Sequence, residues 1–199
     1  PDARLLTLDG AGHGIDRAQV DRGTGHGFGA HRGPVRPMLP RRDLRHHATA
    51  RTVLGNFNDA TYSFQGIQSS FLQRDGKYFI RTDGPDGKLA DFEVKYTFGV
   101  APLQQYLVEL PGGRMQAVSV TWDSRPREEG GQRWFRQYPT EQIDHTDELH
   151  WTRRAQNWNF MCADCHATQV SKGYEAASDS CKTTYAEISV GCEACHGPG

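Results

Sequence analysis

The feature that most constrains this chain is a five-residue pattern written twice near its end, Cys162-Ala163-Asp164-Cys165-His166 and Cys192-Glu193-Ala194-Cys195-His196. Each is a C-x-x-C-H run, the attachment pattern of a c-type haem. The spacing has a chemical reason. Thiols three residues apart lie about one helical turn apart, so both reach the vinyl groups on one edge of a porphyrin. The histidine that follows lies under the ring as the proximal ligand of iron. Both runs fall in the last fifth of the chain, and no other C-x-x-C occurs in it.

The same four cysteines also spell a C-x-x-C…C-x-x-C zinc site. A zinc site asks for no histidine after both second cysteines, and the gap between the pairs is long for a ribbon. A redox dithiol would be a single pair beside a βαβ pattern. Haem c is therefore the favoured cofactor, two per chain. Cys162, Cys165, Cys192 and Cys195 attach the rings, and His166 and His196 ligate the irons. A structural zinc module stays as the alternative.

The run from Gln156 to His166 and the run from Val190 to Gly199 resemble bacterial multihaem c-type cytochromes. The resemblance is to the nitrifier tetrahaem cytochrome c (cytochrome c-552/c-554-like) kind, often fused to tetratricopeptide repeats. It extends from about Thr52 to the last residue, through Val108-Glu109-Leu110-Pro111-Gly112-Gly113-Arg114 and Leu149-His150-Trp151-Thr152. It implies electron transfer with partner redox proteins and, because covalent haem attachment is made outside the bacterial cytoplasmic membrane, a periplasmic or exported location. It also implies further haem motifs on either side. The lack of an initiator Met and the stop at Gly199, just past a motif, read as a fragment.

A net charge of −1 argues against a nucleic-acid footprint. No apolar run approaches the roughly 18 residues of a membrane helix, and Pro1-Asp2-Ala3-Arg4 does not open a signal peptide. A mean hydropathy of −0.70 is low for a large packed core. Apolar macrocycles make up part of that deficit.

The expected fold class is α+β, a small antiparallel sheet region followed by a loop-rich, partly helical multihaem region. Residues 1–50 read as an atypical, disordered leader, with eight Arg and no Lys, Glu or Cys. Arg36, Arg41, Arg42 and Arg45 there read as a solvated tail, and Gly23–Gly29 as a flexible loop rather than a phosphate cradle. Residues 51–125 read as five or six short strands with one buried face, punctuated by Asp75-Gly76, Gly84-Pro85-Asp86-Gly87 and Pro111-Gly112-Gly113. Residues 126–199 are the dihaem region. Trp134, Phe135, Tyr138, Trp151 and Trp158 crowd its start, as walls for a porphyrin or as packing between subdomains.

Cys181 stands alone and reads as an unpaired thiol. Distal ligands decide between an electron carrier and a redox enzyme acting on a small nitrogen compound at an open haem. His150, a short span upstream of Cys162, is the favoured distal ligand, with enough chain between them to turn back over a haem face; the alternative is that it only hydrogen-bonds at the seam between subdomains. His145, in an acid-flanked setting between Asp144 and Asp147, is a weaker one, followed by His46 and His47.

Overall fold

Alternating apolar and polar residues with turn dipeptides between them build most of the molecule from strands. The computed structural model describes residues 45–197, with the backbone alone described at Ala194 and Cys195. The strands are β1 (Arg45–His47), β2 (Ala60–Phe64), β3 (Ile67–Arg74), β4 (Lys77–Asp83), β5 (Leu89–Phe98), β6 (Leu103–Leu110), β7 (Arg114–Ala117), β8 (Val120–Asp123) and β9 (Arg133–Arg136). They form one antiparallel sheet in the order β2-β3-β4-β5-β6-β8-β9, with β1 added on β5 and β7 on β6.

Turn chemistry sets the register. Asp75 and Gly76 hold φ of 50° and 72° between β3 and β4. Positive φ at both central residues is the hairpin conformation that matches strand twist, and Asp-Gly adopts it readily. β5 bends the sheet. Its first half pairs with β4, its second half pairs with β1 and β6, and the register shifts between Val94 and Tyr96. Such a bulge curves a sheet. The far edge returns towards the near one, where the Arg136 guanidinium of β9 lies 5.3 Å over the Phe64 ring of β2. The result is a nearly closed barrel.

This overturns the α+β expectation. Strands hold 41% of the described residues and helices 11%. Among the described residues the α-helices are single turns, α1 (Trp158–Met161), α2 (Ala163–His166) and α3 (Glu193–His196). Helices this short do not stand on their own propensity and are held by tertiary contacts. The sheet also takes in strands on either side of residues 51–125, namely β1 and β9. Arg45, expected in a solvated tail, is 1% exposed inside β1. The readings for residues 1–44 lie outside the described residues.

Two apolar clusters share the sheet. Inside the barrel, Phe57, Phe71, Tyr106 and Trp134 pack with Ile80, Val108 and Trp151. Phe71 stacks on Trp134 with centroids 3.5 Å apart, and Phe57 meets its aromatic neighbours edge-on. Outside, Leu107, Met115 and Ala117 pack with Trp158, Ala163 and Ala167. β6 therefore has no solvent face here. Tyr106, Leu107 and Val108 are each 0% exposed, and the period of two sends the middle one outward and its neighbours inward. The sheet thus has two buried faces at this place, where one was expected. No helix among the described residues is long and apolar enough to cross a membrane.

Candidate functional site

The first motif is fastened to the barrel one residue at a time. Gln116 of β7 donates from its amide to the carbonyls of Trp151 and Arg153, at 2.7 and 2.9 Å. Its own carbonyl accepts from Asn157 at 2.7 Å. Asn157 is the N-cap of α1, its side-chain oxygen accepting from the Phe160 amide at 3.1 Å. Asn159 accepts from the Met115 amide at 2.7 Å and donates to Thr183 at 2.8 Å. With α1 held in this way, the chain passes directly into α2.

α2 presents the motif. Ala163 and Ala167 are buried against the outer cluster, one turn apart, which turns the intervening residues outward. Cys162 is half-buried against that cluster, and Cys165 is exposed one turn on. Neither is in a disulfide. Burial, with the neighbouring Cys165, pushes the Cys162 thiol up from its ordinary value, so it stays protonated at neutral pH. The His166 ring meets Phe98 of β5 edge-on at 4.6 Å. Its Nδ1 is buried with no hydrogen-bond partner among the described residues. An exposed methionine, Met161, stands beside the motif at 59% exposure.

The second motif is tied to the first by one hydroxyl. Thr168, two residues past His166 and 0% exposed, accepts from the Gly191 amide at 2.7 Å and donates to the Ser189 carbonyl at 2.9 Å. Its amide also donates to the Glu187 carbonyl at 3.2 Å. The chain from Glu187 to Gly191 is thereby drawn back alongside α2, and Cys192 follows at once. A Cβ on Gly191 would displace the Glu187 carboxylate, the movable end of its side chain, and crowd the Thr168 hydroxyl. α3 then follows Cys192 and carries His196, both exposed, and Gly197 ends the turn at a φ of 75°.

The donor set fits a c-type haem. Two thiols on one helical turn precede an imidazole with a buried, unbonded nitrogen, beside apolar surface from Phe98 and Met161. The zinc alternative needs four ligands around one point. Among the described residues no three His, Cys, Asp or Glu side chains converge to hold a metal ion.

The structure puts His150 to other use. It is 0% exposed, with Nε2 at 2.9 Å from Asp83 Oδ2 and Nδ1 at 2.8 Å from Thr152 Oγ1. The Thr152 amide, which can only donate, also faces Nδ1 at 3.4 Å. Nδ1 is therefore the acceptor, and Nε2 carries the proton given to Asp83. Burial alone would raise the Asp83 carboxyl, but the hydrogen bond from His150, with help from Thr82, holds it below the usual range. Both nitrogens are thus engaged, and His150 pins the barrel seam. His145 lies against the Gly87 turn, and its carbonyl accepts from Arg153 at 2.7 Å. His47 stacks on Tyr96 at 4.8 Å, and His46 lies opposite Thr97 in the sheet. None of the four is brought to His166.

The aromatics divide. Trp134 and Trp151 belong to the barrel core, and Trp158 lies in the outer cluster with Cys162. Cys181 is buried, its amide donating to the Gly112 carbonyl at 2.7 Å, and burial raises its thiol. Sequence reasoning missed Thr168 and Gly191, whose roles come from a contact across 23 residues, and Arg45. Asn157 was within reach, since an asparagine three residues before an apolar helical residue is an N-cap signal.

No curated protein and no solved structure matches the chain. Residues 121–197, from β8 to the end of the second motif, match the family model for cytochrome c554 and c-prime, so this part of the chain is similar to c-type cytochromes.

Proposed function

We propose that this chain is an electron-transfer module of an exported multihaem cytochrome, holding one haem c at each motif and exchanging electrons with partner redox proteins. The observation that carries the reading is the Thr168 hydroxyl. It ties the residue before Cys192 to the stretch just after His166, keeping the two attachment turns close in space. When bound, haem supplies a one-electron couple at iron. The chain's own residues do the rest. Cys162 and Cys165 offer thiols from one turn, Phe98 fixes the ring plane of His166, and Ala163 and Ala167 lock the turn onto the barrel. The exposure of Cys165, Cys192 and His196 leaves this side open to a partner protein.

A second reading, a redox enzyme with an open haem acting on a small nitrogen compound, is favoured by one observation. His150 is already bonded at both nitrogens, so no distal imidazole is supplied from the block where one was expected.

Protein matured in an export-competent host is expected to carry two covalent haems per chain, by acid–acetone extraction and a pyridine haemochrome assay. The Cys165→Ala variant should lose one of them. Bound zinc with no Soret band would end the haem reading. Low-spin spectra indifferent to carbon monoxide support the carrier, and a carbon monoxide-sensitive high-spin haem supports the enzyme.

A further inference from the structure

A buried cation without a counter-ion is costly, because desolvation of a charge is compensated only by pairing or hydrogen bonds. Arg45 is such a cation. Its side chain is sandwiched in the outer cluster, the guanidinium carbon lying 3.9 Å from the Trp158 ring, 4.4 Å from Tyr185 and 4.6 Å from Tyr96. Nε donates to the Ile188 carbonyl at 3.2 Å. Nη2 is buried with no partner, and no carboxylate pairs with Arg45 among the described residues. Burial lowers its pKa, yet an arginine keeps its charge. Aromatic faces offset part of the cost through cation–π attraction, but they leave the Nη2 donors unmet.

Arg45 also lines a cavity of about 580 Å³ between β1, β5, β6 and the chain from Cys181 to Tyr185. Lys95 and Lys182 stand on the same walls, against a single carboxylate, Glu109, which is exposed. Lys95 shares Glu93 at 3.1 Å, whereas Lys182 has no ion pair among the described residues. Burial and the Tyr185 hydroxyl push the Tyr96 phenol up to about 12, so it remains a neutral hydroxyl at physiological pH. The lining is rich in donors and carries a formal excess of positive charge.

We infer that this cavity is an anion site, in which Arg45, assisted by Lys182 and Lys95, binds a compact oxyanion or a carboxylate group. The unpartnered Nη2 of a planar guanidinium suits an acceptor oxygen, and a desolvated setting strengthens that contact. The ligand chemistry has two sources. One is a free oxyanion such as phosphate. The other is a propionate of the haem attached at Cys162 and Cys165, since Trp158 of the cage belongs to the same apolar cluster as Cys162. The propionate arm rests on the haem reading, and the free-anion arm stands without it.

The test is isothermal titration calorimetry of the haem-loaded full chain with sodium phosphate, against sodium chloride at matched ionic strength. Saturable phosphate binding, weakened about tenfold or more in Arg45→Met and several-fold in Lys182→Met, supports the free-anion source. Binding absent from the loaded protein but present in the Cys162→Ala/Cys165→Ala variant, and lost again on adding Arg45→Met, supports the propionate source. Should Arg45→Met fail to fold, Lys95→Met/Lys182→Met, which leaves the cage intact, must show the loss. Phosphate binding in neither form, or binding unchanged by these substitutions, overturns the site.

Discussion

His150 and His166 are near neighbours in sequence and are finished in opposite ways. His150 is the hub of a closed network in which Asp83, Thr152 and the Trp151 indole, donating to the Asp83 carbonyl at 2.8 Å, answer every polar atom. His166 keeps a buried nitrogen without a partner among the described residues, next to Cys162 and Cys165, which share no disulfide. A region that completes itself serves the fold. A region that leaves good donors unmet has been kept for something that arrives from outside. Histidine near a motif is thus a poor guide to ligation until its hydrogen bonds are counted.

The sharpest way to break this contrast is His150→Ala. It strips a buried carboxylate of its partner, and such losses cost about 3–5 kcal/mol. Urea unfolding should show a loss of that order, while haem count and spin state stay as in the parent. A high-spin haem appearing in a still-folded variant would restore His150 to the ligand set.

Thr168→Val tests the motif side. It keeps the shape but leaves the Gly191 amide and the Ser189 carbonyl unpaired, at about 1–3 kcal/mol. The effect should concentrate on the second motif, read as faster amide exchange over 187–197 than in the barrel. Uniform destabilisation would place Thr168 with the seam instead.

The smallest effect is in pH. Asp83 has a lowered carboxyl, so its contribution is complete above the ordinary aspartate value of about 4 and is lost as pH falls through the lower folded value. The parent should weaken with acid across that window. In His150→Ala, burial becomes the dominant influence on Asp83, and the acid dependence at this site should reverse. Parallel acid profiles for the two proteins would show that the pair is not what holds the carboxyl down.

The strands between Ala60 and Val120 were legible because their signals are local, in alternation, in Asp-Gly and in Gly-Gly. The closing of the sheet was not. β1 and β9 are very short, and β1 finds its place only against a distant segment, Arg45 lying opposite Phe98 and His47 opposite Tyr96. The two C-x-x-C-H runs stand in the sequence itself, and their role as attachment sites remains the proposal made above. Of the two readings of His150, the bond at the seam could not be chosen from sequence, because its partner Asp83 lies 67 residues upstream, where spacing carries no information. Arg45 was misread for a related reason. An arginine among arginines looks solvated until three aromatic rings from distant segments close on it.

The stretch of β6 with no solvent side, Tyr106 to Val108, bears on how the protein is made. Synthesis runs from the N-terminus, so Leu107, Met115 and Ala117 exist before Trp158, Ala163 and Ala167 arrive to cover them. Until then a nascent barrel carries an apolar stripe on its outside, the kind of surface that draws aggregation and chaperones. The helical turns that carry the first motif are the lid on that stripe. Seating the motif and protecting the newborn chain are one event, and a polypeptide cut short before Trp158 would be left with the stripe bare.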